Sequence, residues 1–95
     1  MGVYMDVVIE AKDVSVKVRD FIVKNLLFSA DGFNFADDVS FLDEGIIDSL
    51  GIIELVSFVE GQFGISVADR ELVPDNFDSV QKLTGYICRK VGEKA

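Results

Sequence analysis

The chain has 95 residues, of which 49% are hydrophobic and 27% charged, and its formal net charge is −8. These values are typical of one globular domain with a modest core. The acidic balance disfavours binding to nucleic acid or to anionic membranes. The chain contains one cysteine and no histidine, which excludes an internal disulfide and a histidine-based catalytic site and leaves too few ligands for zinc. We therefore expect no metal site.

The N-terminal segment, residues 1–11, has some β propensity but no partner strand, so we expect a flexible extension before one domain at residues 12–95. It lacks the basic head, apolar stretch and small-residue cleavage site of a signal peptide. No apolar run in the sequence approaches the roughly 20 residues that span a bilayer. These features predict a cytoplasmic protein.

The first helix is predicted to begin near Asp13 or Ser15, either of which can cap exposed N–H groups. It should end around Leu27 or Phe28. Its buried stripe, at helical spacing, is predicted to be Val14, Val18, Phe21, Ile22 and Leu26.

Residues 29–48 form a loop of 20 residues between the first and second helices. A loop of this length in a compact domain is usually functional or disordered. Its seven large apolar residues indicate that it packs onto the helices, with a short helical turn near Phe41–Glu44.

The second helix is predicted to begin at or just before Ser49 and to end at about Phe63, because Gly64 follows. Glu54 and Glu60 should face solvent. Gly51 is expected to keep the surface beside Ser49 uncluttered. The apolar face is predicted to contain Ile52, Val56, Val59 and Phe63, widened by Leu55.

A short third element is predicted over residues 68–73, stopping at Pro74. For the last helix, Asp78 and Gln81 resemble a capping box, and Gly92 should end it. The fold class that follows is all-α, a small bundle of three main helices plus one short helix with a long first loop. The buried stripe of the last helix is predicted to be Val80, Leu83, Ile87 and Val91.

The negative charge is concentrated around one serine. No Lys or Arg lies between Lys24 and Arg70, and residues 25–69 hold nine of the 17 acidic residues. The other segments hold the remaining eight acids and all nine basic residues, so together they are almost neutral. Such a block speeds and orients encounters with basic patches on other proteins, and we interpret it as a docking surface.

Ser49 is the candidate functional residue. A serine hydroxyl without a neighbouring base is a weak nucleophile, so modification by another enzyme is the better interpretation. The unsatisfied N–H groups at a helix N-terminus would also favour an attached phosphate. The ordinary alternative is a plain helix cap. Beside it, Asp48 is expected to cap the helix and to meet a partner's cation, and Ile47 and Leu50 are expected to fold inward.

The run Leu42-Asp43-Glu44-Gly45-Ile46-Ile47-Asp48-Ser49-Leu50 resembles the acyl carrier protein family. Residues 60–65 and 76–80 reinforce a similarity that extends over about residues 12–92. The resemblance implies that Ser49, flanked by Asp48 and Leu50, carries 4′-phosphopantetheine, attached from coenzyme A by a phosphopantetheinyl transferase. It implies a carrier of acyl or aminoacyl thioesters in fatty-acid, polyketide or related biosynthesis, which is not an enzyme and has no catalytic residues.

The resemblance also implies two surfaces. Loading ligases and downstream synthases or transferases with basic docking patches would bind a monomeric carrier, and neither nucleic acid nor membrane would be a partner. The implied partner-binding residues are Asp43, Glu44, Asp48, Leu50, Ile53, Glu54 and Ser57. The implied pocket for an attached acyl chain consists of Leu55, Val59, Phe63 and Ile87.

Two alternatives remain open. Helix two has fewer acids than is usual in fatty-acid carriers, and Gly51 with residues 70–77 is similar to free-standing aminoacyl or D-alanyl carriers. An unmodified acidic helical adaptor that binds basic proteins is the alternative from another class. Replacing Ser49 with Ala discriminates the two classes, because only a carrier depends on that hydroxyl.

Overall fold

Helices supply the regular secondary structure of the part of the chain that is described. The computed structural model describes residues 10–28 and 30–94, so the predicted flexible extension lies almost entirely outside it. The all-α prediction is confirmed, and no helix in the described ranges has the length and apolar character to cross a bilayer. The elements are α1 (Ala11–Ile22), a π-helical turn (Val23–Leu27), α2 (Ser49–Phe63), a 3₁₀ turn (Asp69–Glu71), α3 (Pro74–Phe77) and α4 (Val80–Lys94).

Helix α1 begins earlier than predicted. Its first residue is Ala11, and the extended residue Glu10 precedes it without a side-chain cap, so neither Asp13 nor Ser15 is the N-cap. Val14, Val18 and Ile22 of the predicted stripe are fully buried, and Phe21 and Leu26 are half-buried against the core. The π-helical turn then carries the chain to Phe28, where the left-handed backbone (φ 52°, ψ 39°) ends the helix as expected.

The core lies where α1, α2 and α4 meet, and the long loop and α3 also contribute to it. Phe21 stacks on Phe58 of α2 with ring centroids 4.2 Å apart. Burial of this apolar surface is the main source of the bundle's stability. The buried hydrophobic residues that form this core are Val14, Val18, Ile22, Phe41, Ile46, Ile47, Leu55, Val59, Ile65, Phe77, Val80, Leu83, Tyr86 and Ile87.

The long loop is fixed to α4 by one aspartate. Asp78 accepts hydrogen bonds at its carboxylate from the Ser40 hydroxyl and the Leu42 N–H, and at its carbonyl from the Phe41 N–H at 2.8 Å. Phe41 is fully buried, and a turn forms over residues 41–45 as predicted. A second attachment joins the Gln81 N–H to the Asp37 carbonyl at 2.9 Å.

Helix α2 has the predicted boundaries, with Gly64 at its end in the left-handed conformation (φ 64°). Leu55 and Val59 are fully buried, and Ile52, Val56 and Phe63 are half-buried. Glu60 was predicted to face solvent, but it is half-buried. Its carboxylate accepts a hydrogen bond from the Val67 N–H at 2.9 Å and so holds the segment after α2 against the helix.

Pro74 begins a helix, and the preceding element ends before it is reached. The 3₁₀ turn ends at Glu71, and α3 starts at Pro74 itself, where a missing N–H costs nothing because first-turn N–H groups have no intrahelical acceptor. The prediction of a single short element before Pro74 was therefore incomplete. Phe77, on the short α3, is buried against Tyr86 with ring centroids 5.2 Å apart.

Two details of α4 differ from prediction. The cap is Ser79, whose hydroxyl oxygen accepts the Lys82 N–H at 3.0 Å, because the carboxylate of Asp78 is occupied by the long loop. The helix also continues through Gly92 to Lys94. The predicted buried stripe is confirmed, with Val80, Leu83 and Ile87 fully buried and Val91 half-buried.

Candidate functional site

Ser49 is the first residue of α2 and is exposed, but it does not cap the helix. The cap is Asp48, whose Oδ1 accepts the Gly51 N–H at 2.8 Å while its backbone is extended. Among the described residues, no group hydrogen-bonds the Ser49 hydroxyl. Ser79 provides an internal contrast, because its hydroxyl does cap α4. The expected capping role of Asp48 is confirmed, and the plain-cap alternative for Ser49 is excluded.

The two apolar neighbours of this turn point in opposite directions. Ile47 is 4% exposed and belongs to the core, as predicted. Leu50 is 72% exposed, so the expectation that it folds inward was wrong. The turn is therefore anchored on one side by Ile47, and a large apolar side chain beside Ser49 is left in solvent.

Gly51 is buried, and its role differs from the predicted one. A Cβ atom built on it would lie 2.5 Å from Cγ2 of Ile47, closer than real Cβ contacts. The absence of a side chain at Gly51 lets Ile47 pack against the first turn of α2. Gly51 therefore fixes the turn that presents Ser49, instead of clearing the surface around it.

A cavity of about 230 Å³ opens beside Ser49, between α2 and the segment leading into α4. Its remaining lining is mostly apolar and consists of Leu42, Ile52, Ile53, Leu72, Val73, Pro74, Phe77 and Asp78. None of the four predicted pocket residues lines it. Leu55, Val59 and Ile87 are fully buried in the core, and Phe63 packs edge-on against Phe58.

The 3₁₀ turn directly precedes Leu72 and Val73, which line this cavity, and it is held by Glu71. The Glu71 carboxylate accepts hydrogen bonds from the Ala68 N–H, the Tyr86 hydroxyl and Lys90, at 3.0 to 3.2 Å. The Ala68 N–H, and after it Lys90, lower the pKa of Glu71 to about 2. Burial, together with the nearby Glu71, raises the pKa of Tyr86 to about 12. A charged Glu71 and a neutral Tyr86 therefore hold the 3₁₀ turn against α4 across the physiological pH range.

The seven predicted partner-binding residues are all exposed: Asp43, Glu44, Asp48, Leu50, Ile53, Glu54 and Ser57. Ile53, at 58%, accompanies Leu50 as an exposed apolar residue of α2. Sequence reasoning missed Leu42, Leu72 and Val73 near Ser49, each 40% exposed or more, and it missed the 80% exposure of Phe28. An apolar residue in a loop gave no periodic signal that would have placed it at the surface.

The carboxylates nearest Ser49 in sequence are uncompensated. Asp37, farther along the loop, pairs with Arg19 at 2.9 Å. Among the side chains described in residues 10–28 and 30–93, no cation lies at salt-bridge distance from Asp43, Glu44, Asp48 or Glu54. Their negative potential is therefore available to a basic partner.

Comparison with known proteins agrees with this geometry. The family model described as "Phosphopantetheine attachment site" matches residues 16–87. An acyl carrier protein from Solidesulfovibrio magneticus is 31% identical over 80 residues, which cover 84% of this chain and 97% of that protein. An acyl carrier protein from Buchnera aphidicola subsp. Schizaphis graminum is 32% identical over 78 residues, covering 82% and 94% respectively.

A D-alanyl carrier protein from Abiotrophia defectiva is also similar, with 32% identity over 54 residues, covering 57% of this chain and 68% of that protein. The family is one of carrier domains that partner with phosphopantetheinyl transferases and biosynthetic enzymes, and its prosthetic group is 4′-phosphopantetheine. The matched region contains Ser49, all of α2 and α3, and parts of α1 and α4. The chain therefore belongs to the acyl carrier protein family, defined by its phosphopantetheine attachment domain.

Proposed function

We propose that Ser49 carries the 4′-phosphopantetheine group and that the chain shuttles acyl groups as thioesters between enzymes. The observation that carries the proposal is the exposed Ser49 hydroxyl, which takes no part in capping because Asp48 caps α2. A serine kept exposed at a helix start without a structural role is suited to modification.

The residues around Ser49 fit a phosphodiester. The positive end of the α2 dipole lies at this helix start and favours a phosphate there. Ile47 packs against Gly51 from inside and anchors the backbone of the turn that carries Ser49. Once attached, the group supplies a thiol on a long flexible arm, and the chain's own residues supply reach and recognition.

The cavity beside Ser49 favours an apolar cargo. Its walls are built mainly from aliphatic side chains, including Ile52 and Val73, and the only carboxylate in them, Asp78, already accepts hydrogen bonds from the long loop. An acyl chain or the start of the arm can rest there out of water. The enzymes of fatty-acid, polyketide or related biosynthesis are the partners that such a cargo implies.

An aminoacyl cargo is the second candidate, and the similarity to a D-alanyl carrier protein favours it. The two cargoes are separated by loading the modified protein with an acyl-activating or an amino-acid-activating ligase. The thioester that forms is identified by intact mass spectrometry. Docking of either ligase should depend on basic residues that meet Asp43, Glu44 and Glu54, so loading should weaken as salt rises. A monomeric state and a cytoplasmic location stay predictions.

The deciding experiment is intact mass spectrometry after incubation with coenzyme A and a broad-specificity phosphopantetheinyl transferase. Ser66→Ala is the control for Ser49→Ala, because Ser66 is also exposed and is not one of the predicted partner-binding residues. One phosphopantetheine increment on the parent and on Ser66→Ala, with none on a folded Ser49→Ala, supports the proposal. An increment on Ser49→Ala would place the attachment elsewhere. No increment on the parent with transferases of several classes would favour the unmodified adaptor.

A further inference from the structure

Phe28 is an exposed aromatic residue in a conformation that phenylalanine disfavours. It is 80% exposed, and its φ of 52° is the only positive φ of a non-glycine residue in the described chain. This left-handed region is populated easily by Gly and tolerated by Asn, but it crowds a Cβ atom. Phe28 is not among the residues that form or cover the core. The fold gains nothing evident from phenylalanine at this helix end.

Phe28 lies beside the candidate attachment site. It lines an open depression of about 490 Å³ between the end of the π-helical turn and the start of α2. Leu50, which is 72% exposed, lines the same depression. The depression shares no residue with the cavity beside Ser49, so the two features occupy different sides of the attachment turn.

The charges of this depression restrict its occupant. Asp48 and Glu54 also line it, and neither has a cation at salt-bridge distance within the described residues. No Lys or Arg occurs in residues 25–69. A second copy of this chain would bring the same negative charge, and an anionic membrane would be repelled in the same way. The complementary surface is an apolar hollow bordered by Lys and Arg side chains.

We propose that Phe28 is a docking anchor for the phosphopantetheinyl transferase, inserting into an apolar hollow with a basic rim on that enzyme. This inference rests on the proposed function of Ser49. The transferase is the partner that must approach the Ser49 hydroxyl directly. Beside that hydroxyl it would meet two exposed apolar side chains, Phe28 and Leu50, with the carboxylates of Asp48 and Glu54 around them. Exposed aromatic anchors of this kind commonly dominate the binding free energy of an interface.

The test uses Phe28→Gly, in which the fold and the docking should respond in opposite directions. Glycine suits the left-handed backbone at position 28, so the midpoint of thermal unfolding should be unchanged or higher. Loss of the anchor should raise the KM for transferase modification by about 5- to 30-fold with kcat nearly unchanged. Phe28→Asn also tolerates this backbone and should behave like Phe28→Gly. Phe28→Leu keeps an apolar side chain, so its KM should lie between those of the parent and Phe28→Gly.

The control is Phe35→Ala, because Phe35, an exposed phenylalanine of the long loop that follows Phe28, does not line the depression. Its KM should equal that of the parent. Raising the salt concentration should increase KM by the same factor in the parent and in Phe28→Gly, because the substitution removes apolar contact and leaves the carboxylates in place.

An unchanged KM in a folded Phe28→Gly, with the parent still modified at Ser49, would overturn this inference and leave the proposed function standing. A marked fall in the unfolding midpoint would show that Phe28 acts within the fold, and concentration-dependent dimers abolished by Phe28→Gly would identify a second copy as the occupant. A parent that no transferase modifies would remove the proposed function itself.

Discussion

Replacing Gly51 with alanine should destabilise the protein, although alanine is the better helix former. In the interior of a helix, alanine is favoured over glycine by about 1 kcal/mol. At position 51 the new Cβ atom would lie 2.5 Å from Cγ2 of Ile47, which is 4% exposed and held by the core. Such overpacking costs about 1–3 kcal/mol. The net change expected for Gly51→Ala is therefore a loss of about 0–2 kcal/mol.

Gly61 provides the matched control on the same helix. It is exposed, and a Cβ atom built on it meets nothing within 4 Å. Gly61→Ala should therefore stabilise the protein by up to about 1 kcal/mol. The two alanine variants should then differ by about 1–3 kcal/mol in the free energy of unfolding, which urea denaturation followed by circular dichroism resolves.

The packing explanation also predicts that the effects of substitutions at Gly51 and Ile47 depend on each other. In an Ile47→Ala background the clashing methyl group is absent, so Gly51→Ala should become neutral or stabilising there. The double-mutant cycle would then give a coupling between the two positions. If Gly51→Ala in the parent stabilised the protein as much as Gly61→Ala, the close approach of Ile47 would not be a requirement of the fold, and the reasoning would be refuted.

Two other predictions concern the cap of α2 and the carboxylate that holds the 3₁₀ turn. Asp48→Ala should lower the free energy of unfolding by about 1 kcal/mol in urea denaturation, because the Gly51 N–H loses its acceptor, whereas Asp48→Asn, which can still accept, should change it little. The pKa of Glu71 is lowered from 4.5 to about 2 in the folded protein, so its stabilisation is present above about pH 4.5 and is lost as the pH falls toward 2. The difference in unfolding free energy between the parent and Glu71→Gln should therefore shrink over that window, and a difference independent of pH would contradict the assignment.

Local signals in the sequence predicted the helices well. Residues spaced by four, such as Val14 and Val18, were placed correctly in the core, and the boundary of α2 at Gly64 followed from its tolerance of a left-handed backbone. Ser49 as the candidate residue and Asp48 as the cap also followed from local sequence. These features depend on residues within one or two helical turns of each other.

The wrong predictions concern features that depend on contacts with segments distant in the sequence. Asp78 and Ser79 can each cap α4, and the choice depends on Ser40 and Leu42, which occupy the Asp78 carboxylate from more than 35 residues away. The cavity beside Ser49 was missed for the same kind of reason. Its walls come from three separate segments, and their meeting depends on the path of the chain through Pro74.

The attachment of the long loop to Asp78 makes one cooperative unit of the loop and the start of α4. The N–H groups of Phe41 and Leu42 both donate to this residue, and the Gln81 N–H donates back to the loop at Asp37. A local opening that frees Asp78 must release the loop from the first turn of α4 at the same time. Leu42 and Asp78 also line the cavity beside Ser49, so the same opening would remove one side of that cavity.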